Sequence, residues 1–297
     1  MNTDVLSRTG LSWDRLRNFC AVAEAGSIVK AAGGDPVRQS LFSRQIRELE
    51  GALEVELVRR QGRGLAITEE GRRLAALVRG QMAALQDFDD ECRNRPVRFS
   101  MAGSNTLLDA VFLPRLAEIR KRLPSVVWRI AHMQTKDAAR ALGEGQVDFA
   151  LLRADAVPGR VEKRKLGSLE WVSAVPPDLA GGSGASPKAL AALPLALPIG
   201  GELRSLVDEY AAKAGVRLRV VLEADSFRQS LQAAAAGVCA AIVPSILMPT
   251  VAGSLRTLPL PPALRSSTPY ALAWRRRLID TRREGAAVLK AVLAAIG

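Results

Sequence analysis

Apolar residues at helical spacing fill the N-terminal quarter of the chain. One stripe predicts a helix over residues 13–25, and its members are Leu16, Phe19, Val22 and Ala23. Gly26 and Ser27 follow it, and Ser27 is a suitable N-cap for a short second helix over residues 28–33. The Gly-Gly-Asp-Pro turn at 33–36 then precedes a third predicted helix over 37–54.

The third predicted helix has two distinct faces. At 100° per residue, its apolar side chains converge on one face, namely Phe42, Ile46, Leu49 and Leu53. The opposite face carries Ser40, Ser43, Arg44 and Arg47, with Gln39 and Arg38 at the N-terminal end. Short hydroxyls allow close approach to a DNA major groove, and Arg and Gln can read base edges there. Four polar residues alone favour a solvated face, but the order of short helix, glycine turn, helix and basic hairpin favours a helix-turn-helix.

A basic hairpin and a long helix come next. Val58 to Thr68 predicts a two-stranded hairpin in which Arg59, Arg60 and Arg63 can reach phosphates or the minor groove. Thr68 caps a long helix whose residues alternate at spacings of four and three along one stripe, Leu74, Val78, Gln81, Leu85 and Phe88. This heptad pattern favours a dimerisation helix; an amphipathic helix lying on its own domain is the alternative.

After Pro96, short apolar strands alternate with helices, which is typical of an α/β domain. Strands are predicted at 97–102, 126–131, 147–152, 168–175, 194–199, 218–223, 239–243 and 270–274, and helices at 106–122, 136–143, 202–214 and 226–236. The predicted organisation is a winged helix-turn-helix at 1–67, a linker helix at 68–95 and an α/β domain at 96–297.

The stretch FCAVAEAGSIVKAAGGDPVRQSLFSRQIRELEGALEVELVRRQGRGLAITEEG resembles the N-terminal domain of LysR-type transcriptional regulators. Its spacing from Gly26-Ser27 through Ser43-Arg44-Gln45-Ile46 to Leu49-Glu50 matches that family without a gap. The resemblance implies that Gln39, Ser40, Ser43 and Arg44 face bases, that the Arg59–Arg63 hairpin is the wing, and that the helix after Thr68 pairs two subunits. The sequence departs from the family pattern at Gly33-Gly34, where an early end of the second helix is expected, and at Arg38, Ser40 and Phe42. Because Arg38 adds a cation among the base-contacting residues, the family's preferred DNA sequence cannot be transferred.

The C-terminal part resembles the same family in scattered pieces, such as LGEGQVDFALL and AAAAGVCAAIVPSIL. The resemblance implies a two-lobed α/β domain similar to type 2 periplasmic binding proteins, with lobe 1 at about 96–163 and 268–297 and lobe 2 at about 164–267. Ligands of such folds bind at strand ends in the crevice between lobes. The candidate effector contacts there are Ser104, Asn105, Thr106, Gln134, Thr135, Arg153, Gly200 and Phe227, although ordinary helix capping also accounts for Ser104 and Thr135.

Charge and composition add limits. The net charge is +12, but residues 1–95 contribute 15 Lys and Arg against 14 Asp and Glu, so the positive excess lies outside the predicted DNA-binding segment. Three distant cysteines and one histidine support neither a disulfide framework nor a metal or other cofactor site. No export signal or membrane span is apparent, and no catalytic motif assembles.

The sequence therefore predicts a cytoplasmic, non-enzymatic transcription regulator. Its expected partners are double-stranded promoter DNA, a small-molecule effector for which an anion is one candidate, RNA polymerase, and further copies of itself in a homodimer or homotetramer. A cytoplasmic solute-binding sensor with little or no DNA binding is the alternative, motivated by the near-neutral N-terminal domain and the glycines after its second helix.

Overall fold

The N-terminal part of the chain is a small helical domain with a two-stranded wing. A computed structural model describes residues 7–61, 64–159, 161–181, 186–251 and 253–297. In sequence order the N-terminal elements are α1 (Trp13–Ala25), α2 (Ile28–Ala31), α3 (Pro36–Leu53), β1 (Val58–Gln61) and β2 (Gly64–Ile67). Their shared core includes the fully buried Phe19, Leu49 and Leu57. The domain is therefore held together by the apolar stripes that its helices turn inward.

Local sequence explains where these helices begin. The hydroxyl of Ser12 accepts the Arg15 N–H at 3.3 Å, and the hydroxyl of Ser27 accepts the Lys30 N–H at 3.4 Å. Asp35 caps α3 by accepting the Val37 N–H at 2.8 Å, and Pro36 fills the first helical position, where no N–H is needed. Helix α3 thus starts one residue earlier than predicted, and α2 ends earlier because Gly33 and Gly34 both adopt positive φ angles.

A 24-residue helix, α4 (Glu69–Cys92), joins the two domains. Its first half belongs to the N-terminal core, because Ala75 and Val78 are buried there and Met82 packs against it. Its last turns contact the α/β domain through Asp87. The alternative interpretation of this helix, a stripe lying on its own domain, therefore holds for Val78, and the prediction that Val78 belongs to the dimerisation seam is wrong.

The first lobe of the α/β domain is a five-stranded part of the sheet. Strands β3 (Val97–Gly103), β4 (Val126–His132) and β5 (Phe149–Arg153) are parallel, whereas β6 (Glu162–Val175) and β11 (Ser267–Trp274) run antiparallel to their neighbours. The strand order is β4-β3-β5-β11-β6. The helices are α5 (Asn105–Leu107), α6 (Leu116–Arg122), α7 (Thr135–Gly143), α11 (Arg276–Thr281) and α12 (Gly285–Ile296).

The second lobe continues the same strand path through β9 (Ala240–Pro244), β7 (Pro194–Pro198) and β8 (Arg219–Ala224), with β10 (Arg256–Leu258) beside β6. Its helices are α8 (Pro187–Ala192), α9 (Glu202–Ala214) and α10 (Phe227–Ala235). The long strand β6 pairs with β11 as far as Glu170 and with β9 from Trp171, so it passes from one lobe to the other. The first lobe therefore extends further along β6 than the predicted boundary at residue 163.

Two predicted elements are corrected by the structure. The helix predicted over 106–122 is interrupted, because residues Leu108–Phe112 form a π-helical turn and Leu113–Arg115 a 3-10 turn before α6 begins. The strand predicted at 168–175 begins at Glu162. Its first part was not predicted as a strand, because the Glu-Lys-Arg-Lys sequence at 162–165 has no alternation of apolar and polar residues. Among the described residues, no helix combines the length and apolar character that a membrane span requires.

Candidate DNA-binding surface and effector cleft

The outer face of α3 presents the polar side chains that its periodicity predicted. Phe42, Ile46 and Leu49 are buried beneath the helix, while Ser40, Arg44 and Arg47 are exposed and Ser43 is half-buried. This separation follows from the 3.6-residue period, because the two sets lie on opposite sides of one helix. The face is open, since no other described part of the chain covers it.

The polar side chains of this face make only exposed ion pairs and hydrogen bonds with neighbouring groups. The Arg44 guanidinium lies 3.7 Å from the Glu48 carboxylate, which also accepts a 2.6 Å hydrogen bond from Arg15. Arg47 donates to the Ser43 carbonyl at 3.3 Å, and the Gln39 amide donates to the Gly34 carbonyl at 2.9 Å. Such exposed contacts are weak, typically 0 to about 1 kcal/mol, so these side chains can exchange them for contacts to DNA.

Arg38 lies at the N-terminal end of the same face. Its guanidinium carbon lies over the Phe42 ring, 5.7 Å from the ring centre, and the Arg38 side chain remains exposed. This position adds a cation beside the base-contacting residues predicted for α3.

The wing is an antiparallel hairpin in which Arg59 pairs with Ala66 and Arg60 with Leu65. Consecutive strand residues point to opposite faces, so only one of these two arginines can face a given side of the wing. Arg59 lies 3.8 Å from Glu56. The predicted contact Arg63 lies outside the described residues.

A glycine fixes the wing against the linker helix. Thr68 caps α4 by accepting the Gly71 N–H at 2.9 Å, and its hydroxyl donates to the Glu56 carbonyl at 2.7 Å. A Cβ at Gly71 would lie 2.3 Å from the Leu57 carbonyl oxygen, so no larger residue fits without backbone movement. The Thr-x-x-Gly pattern is thus explained by close packing of helix against strand.

Helix α4 leaves an apolar stripe in solvent on the side away from its own domain. Leu77 is 53% exposed, Leu85 55% and Phe88 65%. Of the predicted seam residues, Gln81 is also exposed and Leu74 is half-buried. Leu77, rather than Val78, therefore shares the outward side of the helix with Gln81, Leu85 and Phe88.

The predicted effector residues lie at strand ends of both lobes. Ser104 caps α5 by accepting the Leu107 N–H at 3.4 Å, and Asn105 and Thr106 follow it. Gln134 and Thr135 lie at the same edge, because the Met133 N–H donates to the Gly103 carbonyl at 2.9 Å. Gln134 precedes α7 without capping it through its side chain. These candidate contacts therefore lie together at one edge of the lobe 1 sheet.

The candidate contacts in lobe 2 lie at the starts of α9 and α10. Gly200 is exposed beside Gly201, which has φ of +91°, a conformation that favours glycine just before α9. Phe227 opens α10 and is half-buried, with its ring 5.4 Å from the Trp171 ring at 50°. Phe227 is thus held against lobe 2 by Trp171 while part of its side chain remains exposed.

Arg153 crosses the cleft. It donates to Asp155 at 2.8 Å and also binds Glu202 on α9, in the opposite lobe. Hydrogen bonding to Asp155 raises the pKa of Arg153, so the guanidinium stays charged. Arg153, which was predicted to bind an anionic effector, is therefore already paired with two carboxylates of the protein.

A second ion pair crosses between the lobes, and no pattern in the sequence predicted it. Arg228 on α10 donates to Asp109 at 2.7 Å and 3.0 Å. Asp109 lies in the π-helical turn, an irregularity that often marks functional positions. Asp109, Glu202 and Arg228 carry no local motif, because their partners are 49 and 119 residues away in sequence.

Comparisons with known proteins cover almost the whole chain. Residues 13–72 match the family model of bacterial regulatory helix-turn-helix proteins of the lysR family, and residues 94–289 match that of the LysR substrate binding domain. A probable hydrogen peroxide-inducible genes activator of Mycobacterium avium is 30% identical, over 81% of this chain and 80% of its own length. The transcriptional regulator BudR of Raoultella terrigena is 28% identical, over 88% and 93%.

Solved structures support the fold. Full-length LysG from Corynebacterium glutamicum, with bound effector Arg, superposes with a TM-score of 0.63 at 18% identity, covering 96% of this chain and 99% of that one. A full-length variant of OxyR from Pseudomonas aeruginosa gives 0.62 at 17% identity, covering 96% and 94%. At these identities the likeness establishes the architecture of both domains and nothing finer.

Proposed function

The chain belongs to the LysR family of bacterial transcriptional regulators, and we propose that it binds promoter DNA through the outer face of α3 and the wing. The observation that carries this is the exposure of Ser40, Arg44 and Arg47, with Ser43 beside them, above a buried apolar face. Arg38 and Gln39 extend this surface at the N-terminal end, where a recognition helix contacts base edges. Arg59 or Arg60 of the wing contacts the phosphate backbone.

The working unit is a dimer formed through α4. Its outward stripe of Leu77, Leu85 and Phe88 is too apolar to remain in solvent without cost, and Gln81 supplies one polar position that fixes register. The edge strands support further pairing into a tetramer, since β4 exposes Val127 and Ile130 and β8 exposes Val221. Such an assembly presents several recognition helices to spaced half-sites on DNA.

The small-molecule effector binds between the lobes, among Ser104, Asn105, Thr106, Gln134 and Thr135 on one side and Gly200 and Phe227 on the other. An anionic effector that binds Arg153 competes with Glu202, whose carboxylate pairs with Arg153 from the opposite lobe. Binding therefore changes the relation between the lobes and, through lobe 1, the arrangement of subunits on DNA. The altered DNA path changes the recruitment of RNA polymerase in the cytoplasm.

Selection from a randomised duplex library tests the DNA-binding proposal. We expect the full chain to enrich one sequence with two related half-sites, and the enriched duplex to shift in a gel at low salt. Failure to enrich any sequence would instead favour a solute-binding sensor with little or no DNA binding. Melting of the chain against a panel of metabolites tests the cleft, because a ligand that binds only the folded state raises Tm.

A further inference from the structure

Arg79 links three parts of the molecule that lie far apart in sequence. It stands in the middle of α4, half-buried, and one guanidinium nitrogen (Nη2) donates to the Cys20 carbonyl of α1 at 3.2 Å. The other (Nη1) donates to the Glu144 carbonyl at 2.8 Å, at the C-terminal end of α7 in lobe 1. A cation suits that position, because the last carbonyls of a helix lack intrahelical partners and carry partial negative charge.

The helix and lobe 1 approach closely around this link. A Cβ at Gly145 would lie 3.4 Å from the Ala76 carbonyl, and Gly145 itself has φ of +69°. A Cβ at Gly80 would lie 3.4 Å from a methyl group of Leu278 on α11. Small residues therefore let α4 lie against lobe 1, and they bring Arg79 within reach of both carbonyls.

A second anchor holds the C-terminal end of the same helix. Arg282 donates to Asp87 of α4 at 2.7 Å and to Asp148 at 2.6 Å, and also binds the Arg98 carbonyl. Its guanidinium lies 4.5 Å from the centre of the Phe99 ring. Arg79 and Asp87 are eight residues apart, or about 12 Å along a helix at 1.5 Å per residue. Two anchors at that separation resist both tilting and rotation of α4.

We propose that Arg79 is a positioning residue that sets which half-site spacing the regulator accepts. This proposal rests on the proposed function, because the spacing between half-sites matters only where two recognition helices of an assembly bind one duplex. Since the N-terminal core is built on α4, fixing α4 to lobe 1 fixes the recognition helix relative to the sensing domain. Without Arg79, each DNA-binding domain still binds its half-site, but the distance and angle between two of them are less defined.

Removal of Arg282 and removal of Arg79 should affect the stability of the fold differently. The Arg282 side chain is 7% exposed and pairs with nearly buried carboxylates, so its removal destabilises the fold. Arg79 is half-buried and binds uncharged backbone carbonyls, so its removal leaves no buried charge without a partner. Arg79 can therefore be changed with the domains folded, which makes it the informative position.

The experiment measures the full chain on half-sites obtained by library selection, with the centre-to-centre spacing of two half-sites varied in steps of one base pair. We expect the unaltered chain to prefer one spacing by about tenfold over a two-base-pair change, since each base pair rotates the site by roughly 35°. In Arg79→Met, which keeps the apolar stem, we expect this preference to fall to about threefold or less while affinity for a single half-site stays within about twofold. Arg79→Lys should lie between them, because one ammonium can reach one carbonyl.

Arg73→Met is the matched control, because Arg73 is an exposed arginine on the same helix for which the described structure shows no hydrogen bond or ion pair. It should keep the full spacing preference. The proposal is overturned if Arg79→Met retains the full spacing preference. It is also overturned if Arg79→Met loses single half-site binding or its native Tm, since Arg79 would then act on the DNA-binding domain alone. If the unaltered chain selects no DNA, the proposed function itself fails, and that result appears before any variant is compared.

Discussion

The DNA-binding surface and the effector cleft differ in how the chain assembles them. The first is built from one helix and one hairpin within residues 36–67, and its exposed and buried sides follow from helical period. The second joins Arg153 to Glu202 and Asp109 to Arg228, pairs that are 49 and 119 residues apart. A surface made by one element can be inferred from its spacing, whereas a cleft made by several elements depends on how they pack. Helix α4 connects the two regions.

The largest effect is expected where the two regions are joined. Arg282→Met leaves Asp87 and Asp148 nearly buried without their cation, which should cost about 3–5 kcal/mol of unfolding free energy. Burial acts to lower the pKa of Arg282, but the hydrogen bonds to Asp87 and the charge of Asp148 outweigh burial and raise that pKa. The substitution therefore removes a positive charge from between two carboxylates. Urea unfolding measures the loss. Arg276→Met, an exposed arginine 3.6 Å from Asp280, is the control and should change stability by less than about 1 kcal/mol.

A smaller effect is expected on the DNA-binding surface. Arg44→Ala should cost about 1–3 kcal/mol in binding to the selected sequence and relax the preference for one base pair. Fluorescence anisotropy with the selected duplex and its single-base variants gives both quantities. Arg60→Ala on the wing should instead weaken all sequences alike. If Arg44→Ala also weakens all sequences equally, Arg44 contacts only phosphate.

A substitution in the effector cleft should weaken effector binding without changing DNA binding. Thr106→Val removes a hydroxyl but keeps the side-chain shape, so we expect at least about tenfold weaker binding of whichever metabolite stabilises the unaltered chain. Operator affinity without that metabolite should not change. Calorimetry and gel shift on the same preparation check both expectations, and loss of DNA binding would refute a role confined to the cleft.

The ion pair across the cleft should have a still smaller effect on stability. Glu202→Gln removes a carboxylate that occupies Arg153, and because both side chains are exposed, Tm should change little, with less than about 1 kcal/mol lost. If an anion binds Arg153, its affinity should rise several-fold in this variant. An unchanged or lower affinity would place the effector's charge elsewhere.

The smallest effect is expected from reagents that attack the buried cysteines of the folded chain, although some relatives are named as probable activators of hydrogen peroxide-inducible genes. Cys20 and Cys239 are buried in different domains, and burial raises the pKa of Cys20 to about 11 and raises that of Cys239 as well. At pH 8, about one Cys20 side chain in a thousand is therefore the reactive thiolate. A thiol reagent should titrate only the exposed Cys92 in the folded chain and all three cysteines in urea. Fast reaction of a second thiol in the folded chain would show a thiol that the fold does not protect.

Spacing and turn chemistry within the chain determined most of the elements. Ser27 and Thr68 cap helices as predicted, and the inward stripe of α3 contains the predicted Phe42, Ile46 and Leu49. At the end of that stripe Ala52 is buried, whereas the predicted Leu53 is only half-buried. These features depend on contacts among residues three or four apart, which the order of amino acids specifies directly. The winged helix-turn-helix and the alternating α/β pattern were therefore predictable.

Only the tertiary structure decided which side of α4 faces outward, where β6 passes between lobes, and what occupies Arg153. Val78 and Leu77 are adjacent apolar residues, and packing against Phe19 and Leu49 buries one and leaves the other in solvent. The pairs across the cleft and the Arg79 link join residues whose neighbours in sequence give no sign of them. Their free energy arises from long-range packing, in which distant groups meet because the intervening chain has folded.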